Sequence, residues 1–267
     1  MVARARPQVA ADDRGSGGDS RYFILAGFKA SIPIWAAFAD QWAAVLHENP
    51  PVEYFKMSEA ESRRGQFDGF DPTERDKKVS DLISVIEQHE LWAGCCAVDG
   101  AAYEEIVAGH MPPRYDSPYL FAFAKLLTIC SGQEQYYGAS CASEIWMPPA
   151  KPSTYTTVDF VFDRQPGKET EARRLYDRLI EVEPYTKMIG SLDYRNDKEF
   201  LPLQAADLAA WQHRRLLCES HREGVRPEYV RLHGNRLRSY KVVLGRSELL
   251  GMAQSIRVKA EARRQGA

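Results

Sequence analysis

Two apolar segments joined by a glycine-rich turn open the chain and constrain its fold more than any other feature. PQVAADD and RYFILAGFKA have the composition of strands, and RGSGGDS between them reads as a turn, so the two pair as a β-hairpin. SIPIWAAFADQWAAVLHEN follows, with Trp35, Phe38, Trp42 and Leu46 at helical spacing, Ser31 at its start, and Asn49 and two prolines at its end. VEYFKMSE then reads as a third strand. PTERDKKVSDLISVIEQHE reads as an amphipathic helix with Val79, Leu82, Ile83 and Ile86 inward, and LWAGCCAVD as a short buried strand. Alternation of this kind belongs to a mixed α/β domain.

The central region is helical rather than sheet-like. SPYLFAFAKLLTICSG is an apolar helix bracketed by the proline- and tyrosine-rich loops HMPPRYDSPY and WMPPAKPSTY, which delimit a helical insertion over about 100–153. Beyond it TTVDFVFDRQPG is a strand ending in a turn, and KETEARRLYDRLIEVE a charged helix. The expected layout is a flexible segment over 1–8, one domain over 9–245 and a basic helix or tail over 246–267.

Composition enters through charge and cysteine. The chain of 267 residues has a net charge of only -2, but from Gln212 to Ala267 there are 13 Lys and Arg against 5 Asp and Glu. That basic end suits a phosphate backbone; Arg257, Lys259, Arg263 and Arg264 equally suit a solvated terminal helix. The cysteines Cys95, Cys96, Cys130, Cys141 and Cys218 show no CxxC spacing, which suits a reduced, cytoplasmic setting. No run reaches the ~18 apolar residues of a membrane span, so no membrane partner is expected.

Three acidic places carry the candidate chemistry. Asp163 closes the strand VDFVFD, at the carboxyl end where open α/β sheets bind ligands. Asp12 and Asp13 end the first strand, and period two sends only one of them to a given face. Asp207 stands in LQAADLAAWQHRR, where turn chemistry does not explain it and burial without compensation is costly. Carboxylates distant in sequence can converge on divalent metal, and hard oxygen ligands favour Mg²⁺ or Mn²⁺. Two such ions ~4 Å apart would activate water and stabilise the leaving oxygen in phosphodiester cleavage. Other motifs are absent: the histidines show no HExxH spacing, and GSGG lacks the Lys-Ser/Thr of a phosphate loop. Cys141 in GASCAS shows no readable base, and Tyr136, Tyr137, Trp146 and Tyr155 could stack on bases or simply pack.

DDRG followed by RYFILAGF, then VDFVFDRQ, then LQAADLAAW resemble the three signature segments of the domain of unknown function 3800 family, whose members resemble ribonuclease H in fold. The resemblance runs from about Val9 to about Trp211, and LQAADLAAW is its most specific part. The family opens on Asp-Glu-Ser-Gly; here the residues are Asp12, Asp13, Arg14 and Gly15. Where members often carry a His, this chain has Lys56 or Met57, with Glu59 the nearest substitute. The resemblance implies a ribonuclease-H-like mixed sheet flanked by helices, with Asp12, Asp163 and Asp207 meeting at one edge as catalytic and metal-binding residues. Asp13, Gln204 and Glu59 would support them. Gln204, three residues before Asp207 on one helix face, could orient that carboxylate or bond backbone at the helix entrance. Two functions follow as expectations: a divalent-metal nuclease or phosphodiester hydrolase acting on RNA or DNA, and a non-catalytic nucleic-acid- or protein-binding module on the same fold.

Overall fold

The computed structural model describes residues 6–14, 21–108, 117–131, 157–165, 167–182, 188–223, 231–232 and 238–254. The opening hairpin forms as expected. β1 (Pro7–Arg14) pairs antiparallel with β2 (Tyr22–Ser31), and β2 pairs antiparallel with β3 (Trp92–Asp99). β4 (Val158–Asp163) then lies parallel to β1 on the other side, and β5 (Ile189–Arg195) parallel to β4. β6 (Arg238–Leu244) adds to β3, giving a six-stranded mixed sheet of order β5-β4-β1-β2-β3-β6. β1 already belongs to the sheet at Pro7, so the last two residues of the segment expected to be flexible, Pro7 and Gln8, are paired.

Helices cover both faces, because both faces of the central strands are apolar. Ala10, Ile24, Ala26, Phe28 and Val161 face a core shared with α1 (Ile32–His47), α3 (Pro72–Gln88) and α7 (Leu201–Glu223). Val9, Ala11, Leu25, Phe160 and Phe162 face the opposite core, shared with α4 (Gly100–Ile106), α5 (Pro118–Cys130) and α6 (Glu169–Val182). The stripe of Trp35, Phe38, Trp42 and Leu46 is buried on α1. Ser31 occupies the N-cap position there but makes no side-chain cap; α3, by contrast, begins with a complete capping box from Asp71 and Glu74. α5 is a core helix: Tyr119, Leu120, Phe123, Leu126 and Leu127 are buried in the second core.

One expected strand is absent. VEYFKMSE bends at Glu53 and Tyr54 and begins α2 (Met57–Ser62) after an extended Lys56. Its backbone N–H groups at Phe55 and Met57 donate to side chains of α7 instead of to a neighbouring strand, so no ladder forms. Cys141, Tyr136, Tyr137, Trp146, Tyr155, Arg257, Lys259, Arg263 and Arg264, weighed above, lie outside the described residues. Cys95, Cys130 and Cys218 carry free thiols. No helix among the described residues is long and apolar enough to cross a membrane.

Candidate functional site: an acidic crevice around Lys56

The sheet has one place where the chain leaves in opposite directions. β1 and β4 are parallel neighbours; β1 continues to β2 on one side, whereas β4 is followed by β5 on the other. A crevice outside the carboxyl ends of two such strands is where open sheets bind ligands. The last pair in register between them, Ala11 with Phe162, sets Asp12 beside Asp163 one step further along the parallel strands.

Alternation decides which acid faces the crevice. Ala10 on β1 and Val161 on β4 lie in the core shared with α7, so Asp12 and Asp163, two residues on in each strand, share that face. Asp12 Oδ1 accepts a hydrogen bond from the Asp13 N–H at 2.7 Å. Asp13 goes to the other face, where its carboxylate meets Lys168 Nζ at 3.2 Å; that ammonium also lies 4.9 Å from the Tyr119 ring centre. Asp13 therefore does not assist Asp12 from the same side of the sheet.

A third carboxylate, which the sequence did not single out, belongs to Asp197 in the turn between β5 and α7. Its backbone N–H donates to Asp163 Oδ1 at 3.2 Å, and its Oδ2 lies 2.9 Å from Lys56 Nζ. Lys56 thus enters the crevice as a cation. Burial alone would lower its pKa, but the bond to Asp197 and the charges of Asp197, Asp163 and Asp12 outweigh that and raise it. Asp163 responds in the opposite sense: burial, then repulsion from Asp197, push its carboxyl up to about 6, against the pull of Lys56 and two backbone N–H groups.

α7 holds this assembly through Gln204 and Asp207, both fully buried. Gln204 Oε1 accepts from Trp42 Nε1 at 2.8 Å and from the Phe55 N–H at 3.1 Å, while its Nε2 donates to the Asp197 carbonyl at 2.9 Å. Asp207 Oδ2 accepts from the Met57 N–H at 2.7 Å, the first N–H of α2. The N-cap residue of that helix, Lys56, gives it no side-chain cap, so the acceptor comes from α7. Glu59, in α2, is taken up by the segments on either side of that helix, accepting from Tyr54 Oη at 3.1 Å and from the Gln66 N–H at 2.8 Å. Among the described residues, no group of three or more His, Cys, Asp or Glu side chains is disposed to hold a metal ion. One oxygen of Asp207, expected as a ligand beside Asp12 and Asp163, is engaged with backbone, and Lys56 stands among the other acids.

Basic groups flank the crevice on the α7 side. Arg195 is in register with Asp163 across β4 and β5 and stacks on the Phe200 ring; exposed Lys198 sits over the Tyr54 ring at 4.3 Å. The local sequence DYRNDKEFLPL carries the signal for Asp197, an acidic turn directly before an apolar helix, but turn chemistry alone accounts equally well for an Asp there.

Asp163 makes the pH dependence of stability predictable. Its folded pKa, about 6, lies above the ordinary aspartate value of 3.8, so the folded state retains a proton that the unfolded chain releases between those values. The stabilisation from this group is full below the lower value and is lost as pH rises through about 6. Asp163→Asn is therefore expected to gain stability relative to wild type between pH 4 and pH 7 in urea unfolding. A constant difference across that range would show that Asp163 titrates normally.

Fold and crevice together define a mixed α/β protein, helices on both faces of its sheet, with an acidic site at the carboxyl ends of β1 and β4. No family model matches the chain, and no curated protein matches it. Among solved structures, "Crystal structure of Bst-RNase HIII in complex with Mn2+" aligns with 94% of this chain and 70% of its own length, at 12% identity and a TM-score of 0.40. A likeness of that degree bears on neither activity nor ligand.

Proposed function

We propose that the protein is a divalent-metal-dependent phosphodiester hydrolase of the ribonuclease-H-like class, acting on nucleic acid at the crevice of Asp12 and Asp163. The observation that carries this reading is the placement of these two carboxylates side by side at the switch point of the sheet, with a third acid, Asp197, brought against Asp163. The residues fit one hard cation. Mg²⁺ and Mn²⁺ take oxygen ligands, and Mg²⁺ commonly rests on one or two carboxylates, completing its shell with water and substrate phosphate. Asp12 and Asp163 would hold it, and a cation bound there supplies a polarised water and charge stabilisation for the leaving oxygen.

The rest of the chemistry belongs to the chain itself. Lys56 adds a fixed positive charge beside the carboxylates, suited to phosphate oxygens. Arg195 and Lys198 extend that charge along the β5 side, where they would track a phosphate backbone. The second reading, a nucleic-acid- or protein-binding module without catalysis, draws on the Lys56–Asp197 ion pair, which already gives the acids a cation.

Thermal unfolding with Mn²⁺ separates the two. An ion at a hundred times its Kd adds about 2.7 kcal/mol, which moves the melting temperature of a chain this size by roughly 5 to 10 °C. The wild type is expected to show that shift, Asp163→Asn to lose it, and cleavage of single-stranded, double-stranded or hybrid substrates to require the metal. No shift at millimolar Mn²⁺, with no cleavage of any of the three, would leave the binding module as the function.

A further inference from the structure

The segment that carries Lys56 is fixed with unusual care for a short link between two helices. The residues on either side of Lys56 each give their backbone N–H to a fully buried side chain of α7: Phe55 to Gln204 and Met57 to Asp207. Gln204 and Asp207 are three residues apart and share one face of that helix. Gln204 also grips the Asp197 carbonyl, so the partner of the Lys56 ammonium is held by the same side chain that holds its backbone. The two buried polar side chains in the apolar first half of that helix, LPLQAADLAAW, are thereby spent on presenting one lysine and one aspartate to the crevice.

We infer that Lys56 is a built-in cation occupying the place a second divalent ion would take, so that the crevice accepts one divalent ion, at Asp12 and Asp163. This rests on the reading of the crevice as a divalent-cation site. A second ion would need a carboxylate near the first, and Asp197 is the one set against Asp163 among the described residues; its Oδ2 already lies 2.9 Å from Lys56 Nζ. The ammonium is a compact charge on a backbone anchored at both flanks, and it cannot be diluted away as a free ion can. A divalent ion arriving there would have to break that ion pair and then lie against a positive charge. Lys56 acts here as a positioning residue that sets ion number.

Mn²⁺ titrated into the full-length protein by calorimetry, with electron paramagnetic resonance on the same samples, tests the inference. Wild type is expected to bind one ion with the signal of an isolated Mn²⁺. Lys56→Glu exchanges the cation for a ligand and is expected to bind two ions with an exchange-coupled signal. Lys56→Gln removes the competing charge and is expected to bind the first ion about tenfold more tightly or better. Two coupled ions in the wild type would overturn the inference and leave the cation site standing, as would Lys56→Glu remaining at one ion while Lys56→Gln keeps the wild-type affinity. No ion in the wild type would remove the cation site itself, and the inference with it. Should Lys56→Glu fail to fold, as judged by circular dichroism, the affinity of Lys56→Gln decides.

Discussion

Gln204→Leu is expected to destabilise the protein by about 3 to 5 kcal/mol, although leucine matches glutamine closely in size. The substitution orphans two donors and one acceptor in the interior: the Trp42 indole N–H, the Phe55 N–H and the Asp197 carbonyl. Each buried polar group left without its partner costs about 1 to 3 kcal/mol. Gln204→Glu should be nearly as damaging, for a reason specific to the amide. Two of the partners need an oxygen and the third needs an N–H, and a carboxylate would set a negative oxygen against the Asp197 carbonyl. Both variants also loosen the segments that carry Lys56 and Asp197, so any metal affinity should fall with stability. Urea unfolding measures the first effect and Mn²⁺ calorimetry the second. A Gln204→Leu protein within about 1 kcal/mol of wild type would mean that water replaces all three bonds.

Asp207→Ala is expected to cost about 1.5 to 3 kcal/mol in EDTA, the range for a buried hydrogen bond to a charged group. It removes the acceptor for the first N–H of α2, and the Lys56 side chain, engaged with Asp197, offers that helix no cap of its own. Asp207→Asn retains an oxygen that can accept from Met57, so it should recover more than half of the loss. The ordering of the two variants is the informative result. Equal destabilisation by Asn and Ala would make the charge of Asp207 the important property, and an alanine variant as stable as wild type would deny the capping role altogether. A ligand role for Asp207 in place of this one predicts that Asn leaves apo stability unchanged or higher.

Local periodicity was enough to place much of the architecture. The hairpin of β1 and β2, the inward stripes Trp35-Phe38-Trp42-Leu46 and Val79-Leu82-Ile83-Ile86, and the strands β3 and β4 all bury the residues their spacing indicates. Where the local signal was ambiguous, contacts made far along the chain won. VEYFKMSE has strand composition, but Gln204 and Asp207 take its N–H groups and α2 begins at Met57. β5 and β6 escaped notice for a related reason. IGSLDYR buries only Ile189 and Tyr194, and RSYKVVL lies in a stretch whose most visible property is its basic charge.

By itself the sequence determined that the chain folds as an α/β protein opening with a hairpin, and that acids end its first and fourth strands, because hydrophobic period and turn chemistry are properties of neighbouring residues. It also posed the question of Asp207, an acid in an apolar helix, without containing the answer. Only the tertiary structure decided that Asp12 and not Asp13 faces the crevice, since alternation makes the two opposite and the packing of α7 chooses the side. Only the tertiary structure brought Asp197 against Asp163 and set Lys56 among the acids, 141 positions before its partner by number, and gave Asp207 the Met57 N–H to hold. These are contacts between segments that share no local pattern, and their energy comes from burying polar groups with their partners, which depends on where the whole chain has gone.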